Sequence, residues 1–297
     1  MADKLNGVFA IMATPFNDDG SLDLSSLKSE TEFFLKAGVH GLVVLGIMGE
    51  AHKLSDEEKE TVVETVSRHL HDRVPLVVGV SHSGVDLSIR WIQHANDAGA
   101  IAAMLLPPLV PRLGPEGITQ YYRDVAGHAS LPIVIHDEPF STGVMLPSGL
   151  IADLYQEERI PYAKVEEAPT PGKISRVLEL TSNRMRLFGG AGGLYFLEEL
   201  RRGACGTMTG FAFPEVLVKC HAQAALGQWD TATTEFNKGA SLIRFESQAG
   251  IGLPIRKEFL RLRGAIRSSF VRQPGTLLDP LTQEEIGQWF RDAELTL

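Results

Sequence analysis

Cysteine, long hydrophobic runs and positive charge are all scarce in this chain of 297 residues. The two cysteines, Cys205 and Cys220, have no metal-ligand spacing, so we expect reduced thiols in a cytoplasmic protein. No apolar run approaches the roughly 20 residues that span a bilayer, and residues 1–6 lack the apolar core of a signal peptide. The net charge of −9 argues against nucleic acid or an anionic membrane as a partner.

The remaining composition is that of a globular protein. Hydrophobic residues make up 44% of the chain and charged residues 22%, which is ordinary for a packed domain in water. A chain of this length can form one large domain or two smaller ones. The order of its apolar segments must therefore decide the architecture.

Eight short apolar segments recur along the chain, with helical, charged segments between most of them. They are Val8–Ala13, Gly41–Leu45, Pro75–Val80, Ala100–Leu106, Pro132–His136, Tyr162–Glu166, Arg186–Phe188 and Cys205–Thr209. Alternating strands and helices indicate a parallel sheet covered by helices. Eight such units predict a closed (β/α)8 TIM barrel. An open doubly wound sheet is disfavoured, because the first segment ends in Ala13-Thr14-Pro15-Phe16 rather than in a glycine-rich phosphate loop.

Helical periodicity also marks segments outside the eight strands. Ser55 and Glu58 form a capping-box pattern at the start of a predicted helix that runs to Leu70. After Pro214 the pattern is helical only. We therefore predict a barrel over residues 1–213 and a C-terminal helical layer, packed on the barrel, over residues 214–297.

The fifth and sixth strands carry the ionisable residues that suggest chemistry. Lys164 and Glu166 are two residues apart, as are His136 and Glu138, so each pair points to one side of its strand. Catalytic residues of such barrels lie at the carboxyl ends of the strands. We interpret Glu166, His136 and Lys164 as catalytic residues; a structural ion pair that closes the barrel is the alternative.

Substrate contacts are expected from neighbouring strand ends. The loop Gly46–His52 has glycines that allow close backbone approach, and its N–H groups are suited to a carboxylate. Gly189 and Gly190 begin a loop almost without side chains, which suggests room for a ligand. The residues predicted to bind substrate are Ile47, Met48, Glu138, Gly189, Gly190 and Met208.

The order and spacing of four segments resemble the dihydrodipicolinate synthase / N-acetylneuraminate lyase family over nearly the whole chain. The segments are Ala13-Thr14-Pro15-Phe16, Gly46-Ile47-Met48-Gly49-Glu50, Pro139 with Thr142-Gly143, and Val165-Glu166-Glu167-Ala168. The resemblance implies a (β/α)8 barrel with C-terminal helices and a small carboxylic acid as substrate. It further implies a homo-oligomer (dimer or tetramer), usually a homotetramer. It also implies a lysine Schiff base with a 2-oxo acid, commonly pyruvate, and no other cofactor.

Several residues depart from the family's pattern. When Val165-Glu166-Glu167-Ala168 is matched to the family's Ile-Lys-Glu-Ala segment, Glu166 stands where the imine-forming lysine is expected. His136 replaces a proton-relaying tyrosine, and Ser141 replaces an arginine. Ile47-Met48 replaces a pair of threonines, and Leu109-Val110 replaces tyrosines. The apolar replacements suggest a less polar ligand than a sugar acid.

A carboxylate cannot form an imine, because imine formation needs a primary amine. We therefore expect a lyase of aldolase or hydratase type in which Glu166 and His136 perform acid–base catalysis on a small 2-oxo or hydroxy acid. In one alternative, Lys164 reaches up from a layer about 6.6 Å deeper and forms the imine. In another, the scaffold is a non-catalytic ligand-binding or sensor protein. No metal is expected, since His136, Glu138 and Glu166 lack a metal-site spacing.

Overall fold

A computed structural model describes residues 5–296 of the chain, with side chains to residue 293. Eight parallel strands form a closed barrel in the order β1 to β8. The strands are β1 (Gly7–Ile11), β2 (Gly41–Val44), β3 (Leu76–Gly79), β4 (Ala102–Leu105), β5 (Ile133–Asp137), β6 (Tyr162–Val165), β7 (Arg186–Gly189) and β8 (Gly206–Thr209). The predicted TIM barrel is confirmed, and each strand overlaps its predicted segment.

The strands are apolar along their length because both of their faces are covered. Alternate residues fill the barrel interior, among them Phe9, Val43, Met104 and Met208. The other residues of each strand pack against the surrounding helices in a larger core. Burial on both faces gives the continuous apolar runs that distinguish parallel strands from half-exposed ones.

Twelve helices cover the barrel within the described range. They are α1 (Leu24–Lys36), α2 (Asp56–Leu70), α3 (Val85–Asp97), α4 (Pro115–His128), α5 (Pro139–Thr142), α6 (Ser148–Leu154), α7 (Thr170–Leu180), α8 (Phe196–Arg201), α9 (Pro214–Ala225), α10 (Trp229–Glu246), α11 (Gly252–Leu262) and α12 (Pro280–Thr296). The predicted capping box is present at α2, where Ser55 and Glu58 satisfy each other's backbone N–H groups. Across residues 5–296, none of the helices combines the length and apolarity needed to cross a membrane.

The helices after β8 connect closely with the barrel. Helix α9 contacts β1 and α8, and α10 packs along α9. The helix that follows β8 thus lies next to the first strand and completes the ring around the sheet. The division of the chain at residue 214 remains a prediction, and it falls between β8 and this helix.

A buried lysine on α11 fixes the C-terminal helices to the barrel mouth. The side chain of Lys257 is fully buried, and its Nζ lies 2.5 Å from Oε1 of Glu50, which follows β2. The same Nζ donates to the carbonyl oxygens of Thr14 and Phe270, both at 2.8 Å. Three acceptors compensate the cost of burying the ammonium, so this contact joins the ends of two strands to the C-terminal region.

Replacing Lys257 with Met should destabilise the protein by about 3–5 kcal/mol, because Glu50 would then be buried with less compensation. Urea unfolding followed by circular dichroism measures the loss. The double variant Lys257→Met with Glu50→Gln should recover part of it. A loss of less than about 1 kcal/mol in the single variant would contradict a structural role for the pair.

Glu199 is a second buried ionisable group, on α8. Its Oε1 accepts a hydrogen bond from Thr170 Oγ1 at 2.5 Å, and its Oε2 has no partner within residues 5–296. Burial raises the pKa of Glu199 to about 8, although the Thr170 hydroxyl opposes the shift. The folded protein therefore holds a proton on Glu199 at pH values where the unfolded chain has released it.

This carboxyl should make the free energy of unfolding fall as the pH rises from about 4.5 to about 8, since the folded state binds more protons than the unfolded state. Its contribution approaches one proton, or about 1.4 kcal/mol per pH unit. Chemical unfolding from pH 5 to 8.5 measures the slope. Glu199→Gln should flatten it, whereas Glu198→Gln, an exposed neighbour on the same helix, should not. Equal slopes for wild type and Glu199→Gln would contradict the assignment.

Candidate active site

The three predicted catalytic residues meet at the mouth of the barrel. Lys164 Nζ lies 2.5 Å from Glu166 Oε2 and 3.0 Å from His136 Nε2. His136 Nε2 is 2.7 Å from the same Glu166 oxygen. The three side chains are only 4%, 13% and 3% exposed for Lys164, Glu166 and His136. An amine, a carboxylate and an imidazole thus form one hydrogen-bonded cluster.

Strand pairing sets the relative heights of these residues. In the parallel register of β5 and β6, His136 is the partner of Lys164. Glu166 follows the last residue of β6, and its N–H donates to the carbonyl of Asp137 at 2.9 Å. Lys164 is therefore level with His136, and Glu166 lies above both at the rim.

The loop after β7 holds the Glu166 carboxylate in place. Its Oε1 accepts a hydrogen bond of 2.5 Å from the N–H of Ala191. A Cβ on Gly190 would lie 2.4 Å from the same oxygen, so only glycine leaves space for the carboxylate there. A Cβ on Gly189 would lie 1.6 Å from the carboxylate of Glu199. The space at the two predicted substrate-binding glycines is occupied by side chains of this chain.

The charges in the cluster oppose the effect of burial. Burial alone would raise the pKa of Glu166, but the Lys164 ammonium and the hydrogen bond from His136 bring this pKa well below its ordinary value. Burial lowers the pKa of His136, the Lys164 charge lowers it further, and Glu166 opposes both. These shifts favour an ionised Glu166 and a neutral His136 at pH 7. The neutral imidazole can then accept or donate a proton.

The cluster lines a cavity of about 460 Å³ between the barrel mouth and the helices α10 and α11. Predicted substrate contacts that also line it are Ile47, Met48, Glu138 and Met208. Glu138 is held at the start of α5, where its Oε2 accepts the N–H of Ser141 at 2.9 Å. The volume is in the range of small-molecule sites in enzymes.

Two residues that line this cavity have free backbone donors within the described part of the chain. Ile47 and Met48 open a 3₁₀ turn, Ile47–Gly49, directly after β2. Gly49 and Glu50 donate back to carbonyls of the turn, while the N–H groups of Ile47 and Met48 donate to no group in the described chain. Free donors at the start of a helical turn are suited to an anion, as expected from the glycines of this loop.

A second cavity of about 340 Å³ adjoins the first. His136 and Ile47 line both cavities. Leu109 lines only the second cavity, and Val110 lines neither. The pair Leu109-Val110 therefore does not make the Lys164 cavity apolar, and half of the argument for a less polar ligand is lost.

Two functional candidates, Glu246 and Arg256, were not predicted from the sequence. Both line the cavity of Lys164, and Arg256 Nε donates to Glu246 Oε2 at 3.1 Å. A signal was present in the sequence, because Arg256 interrupts an apolar stretch beginning at Leu253. The prediction of a C-terminal helical layer packed on the barrel gave no reason to place these two residues near the strand ends.

His136, Glu138 and Glu166 supply an imidazole and two carboxylates, which are groups that can bind metal ions. Between residues 5 and 296, no group of three histidine, cysteine, aspartate or glutamate side chains is arranged to hold a metal ion. Cys205 and Cys220 are buried and form no disulfide in this range. The chemistry of the site must therefore be sought in the cluster of Lys164, Glu166 and His136.

Comparison with known proteins gives one consistent result. The sequence model of the dihydrodipicolinate synthetase family matches residues 4–292. L-2-keto-3-deoxyarabonate dehydratase of Azospirillum brasilense is 30% identical over 94% of this chain and 92% of its own length. A 4-hydroxy-tetrahydrodipicolinate synthase of Methanosphaerula palustris is 29% identical over 94% and 95% of the two chains.

Solved structures agree with the sequence comparison. The crystal structure of dihydrodipicolinate synthase from Rhodopseudomonas palustris superposes with a TM-score of 0.91 at 34% identity, covering 97% of this chain and 98% of the other. The match to the family model over nearly the whole chain confirms the resemblance inferred from the four sequence segments. The chain belongs to the dihydrodipicolinate synthetase family.

Proposed function

We propose that this protein is a lyase that binds a 2-oxo acid as an imine on Lys164, with Glu166 and His136 transferring protons. One observation carries the proposal: the Lys164 amine lies in the cavity, within hydrogen-bonding distance of both a carboxylate and an imidazole. Of the three groups, only the amine can add to a carbonyl and then lose water.

The strand register supports Lys164 as the equivalent of the family's lysine. The sequence match placed His136 at the relay tyrosine and Glu166 at the lysine. In the structure, the residue of β6 level with His136 is Lys164. Moving the match by two residues restores an amine beside the relay position and makes Glu166 an additional carboxylate. The alternative with Lys164 is thus the one we prefer, and Glu166 and His136 keep their acid–base roles.

Imine formation begins with a proton transfer within the cluster. Glu166 or His136 accepts a proton from the Lys164 ammonium, and the free amine attacks C2 of the 2-oxo acid. The carbinolamine then loses its oxygen as water, for which the same groups return a proton. The resulting iminium withdraws electrons from C3, so loss of a C3 proton gives an enamine.

The enamine can follow either of two related reactions. Loss of hydroxide from C4 is a dehydration, whereas a bond between C3 and an aldehyde carbon is an aldol addition. The named relatives include a dehydratase and synthases, so both outcomes fit the proposed intermediate. Which reaction this chain performs depends on the groups that face C4 of the substrate.

The backbone donors of Ile47 and Met48 are suited to the C1 carboxylate of the substrate. Their N–H groups are free in the described structure, and both residues line the cavity of Lys164. Backbone donors need no particular side chain, so the site can bind a carboxylate although the threonines expected from the family are absent. Binding there would hold C2 near the amine.

Exposed apolar side chains favour assembly of the protein into a homo-oligomer. Phe140 follows β5 and is 82% exposed, and Leu109, in the loop after β4, is 57% exposed. Both loops leave the carboxyl ends of neighbouring strands, so they share one side of the molecule. Large apolar groups at such a position are typical of protein contacts. We propose a dimer or tetramer with this face buried.

Borohydride reduction in the presence of pyruvate should add one reduced pyruvyl group to the wild-type protein. Intact mass and peptide mapping locate the adduct, which we expect on Lys164. The variant Lys164→Arg keeps the charge but cannot form the imine, so it should give no adduct, whereas Lys173→Arg, which pairs with Asp137, serves as the matched control. An adduct on another lysine would refute the assignment. An adduct on Lys164 without turnover of any tested substrate would favour a binding protein.

Replacing Glu166 with Gln should slow imine formation by about 10²- to 10⁴-fold, because one of the two groups that can accept the lysine proton is lost and the charge beside Lys164 is removed. Rapid-quench borohydride trapping measures this rate directly. The substrate concentration for half-saturation should change much less than the rate. Glu167→Gln, whose carboxylate contacts Lys173 instead, is the control. A Glu166→Gln enzyme with the wild-type rate would exclude Glu166 from proton transfer.

A further inference from the structure

Arg256 places a guanidinium group on the wall of the cavity that contains Lys164. The residue lies on α11, is only 5% exposed and lines the cavity. A Cβ on Gly210, directly after β8, would lie 3.1 Å from Arg256 Nη1. The guanidinium is therefore over the end of β8, at the carboxyl rim where barrel enzymes hold their substrates.

Most N–H donors of this guanidinium have no acceptor among the described residues. Its Nε donates to Glu246 Oε2 at 3.1 Å. Its Nη1 and Nη2 donate to no side chain or carbonyl within residues 5–296. Arginine has five N–H donors and stays protonated, so a buried guanidinium requires acceptors for the four N–H bonds that remain.

Glu246 fixes the orientation of Arg256, but it accepts a hydrogen bond from only one of the guanidinium's N–H groups. Both oxygens of Glu246 lie within 3.3 Å of the N–H of Ala212, so the carboxylate is held by the backbone after β8. Burial raises the pKa of Glu246 to about 7 even with Arg256 beside it. The carboxylate therefore neutralises the guanidinium only in part near pH 7, and an anionic group on the substrate would complete the compensation.

We infer that Arg256 binds a second carboxylate at the distal end of the substrate, which makes the enzyme selective for 2-oxo diacids. This inference rests on the proposed imine at Lys164, which defines the other end of the same cavity. The planar edge formed by Nη1 and Nη2 matches the two oxygens of a carboxylate. A hydroxyl group offers one oxygen and no charge, so it would leave part of the guanidinium uncompensated.

Borohydride trapping with chain-matched acids tests the inference. The diacids are 2-oxoglutarate and 2-oxoadipate, and their matched monoacids are 2-oxopentanoate and 2-oxohexanoate. The concentration for half-maximal trapping should be about tenfold or more lower for at least one diacid than for its monoacid. In Arg256→Gln the ratio should approach one, and in Arg256→Lys it should be intermediate. Arg261→Gln, which removes an exposed charge from the same helix, should retain the wild-type ratio.

Each result has a distinct meaning. No adduct with pyruvate or with any of the four acids would refute the proposed imine, and the inference about Arg256 with it. An adduct with pyruvate but with none of the four acids would refute the inference about Arg256 and leave the imine standing. Adducts with equal half-saturation for diacid and monoacid would refute the role of Arg256 alone. Equal trapping of 5-hydroxy-2-oxopentanoate and 2-oxoglutarate would also refute it. The site would then bind a neutral terminal hydroxyl as well as a charged terminal carboxylate. A general folding defect in Arg256→Gln would not change the ratio.

Discussion

The buried contact between Lys164 and Glu166 is the interaction on which the site depends. Burying an ammonium or a carboxylate alone at this depth would cost free energy, and the charge of each group compensates part of the burial cost of the other. The contact also requires the N–H of Ala191 and the absence of a side chain at Gly190. A replacement at either end would leave a buried charge uncompensated, so the cluster constrains the loops after β6 and β7 together. The pair proposed to serve chemistry is thus also part of what shapes the barrel mouth.

The same principle joins the C-terminal helices to the barrel. Lys257 reaches from α11 to Glu50 after β2, and Arg256 and Glu246 reach the segment after β8. Neighbouring residues on one helix thus have different partners. Lys257 has three acceptors, whereas Arg256 lines the cavity and donates only through Nε within the described residues. The first arrangement is that of a structural cation. The second is the arrangement on which the proposed binding of a substrate carboxylate rests.

The barrel could be predicted from the sequence because its signal is local: eight apolar segments, each buried on both faces, with helices between them. The period of two also placed Lys164 and Glu166 on one side. It did not show which of them is level with His136, because the stagger between parallel strands is set by closure of the whole barrel. The sequence also did not show that other side chains fill the space beside Gly189 and Gly190, since Glu199, which lies beside Gly189, comes from a later helix. Arg256 approaches the site from beyond β8, and no short-range pattern links it to the ends of β5 and β6, which come 119 and 91 residues earlier in the chain.

The central claim is that the Lys164 amine, and not the Glu166 carboxylate, bonds to the substrate. A crystal structure of the wild-type protein grown with pyruvate tests this most directly. The account predicts continuous electron density from Lys164 Nζ to C2 of the bound acid, with the C1 carboxylate at the N–H groups of Ile47 and Met48. Pyruvate bound beside an intact Lys164–Glu166 pair, with no covalent connection and its carboxylate elsewhere, would contradict it.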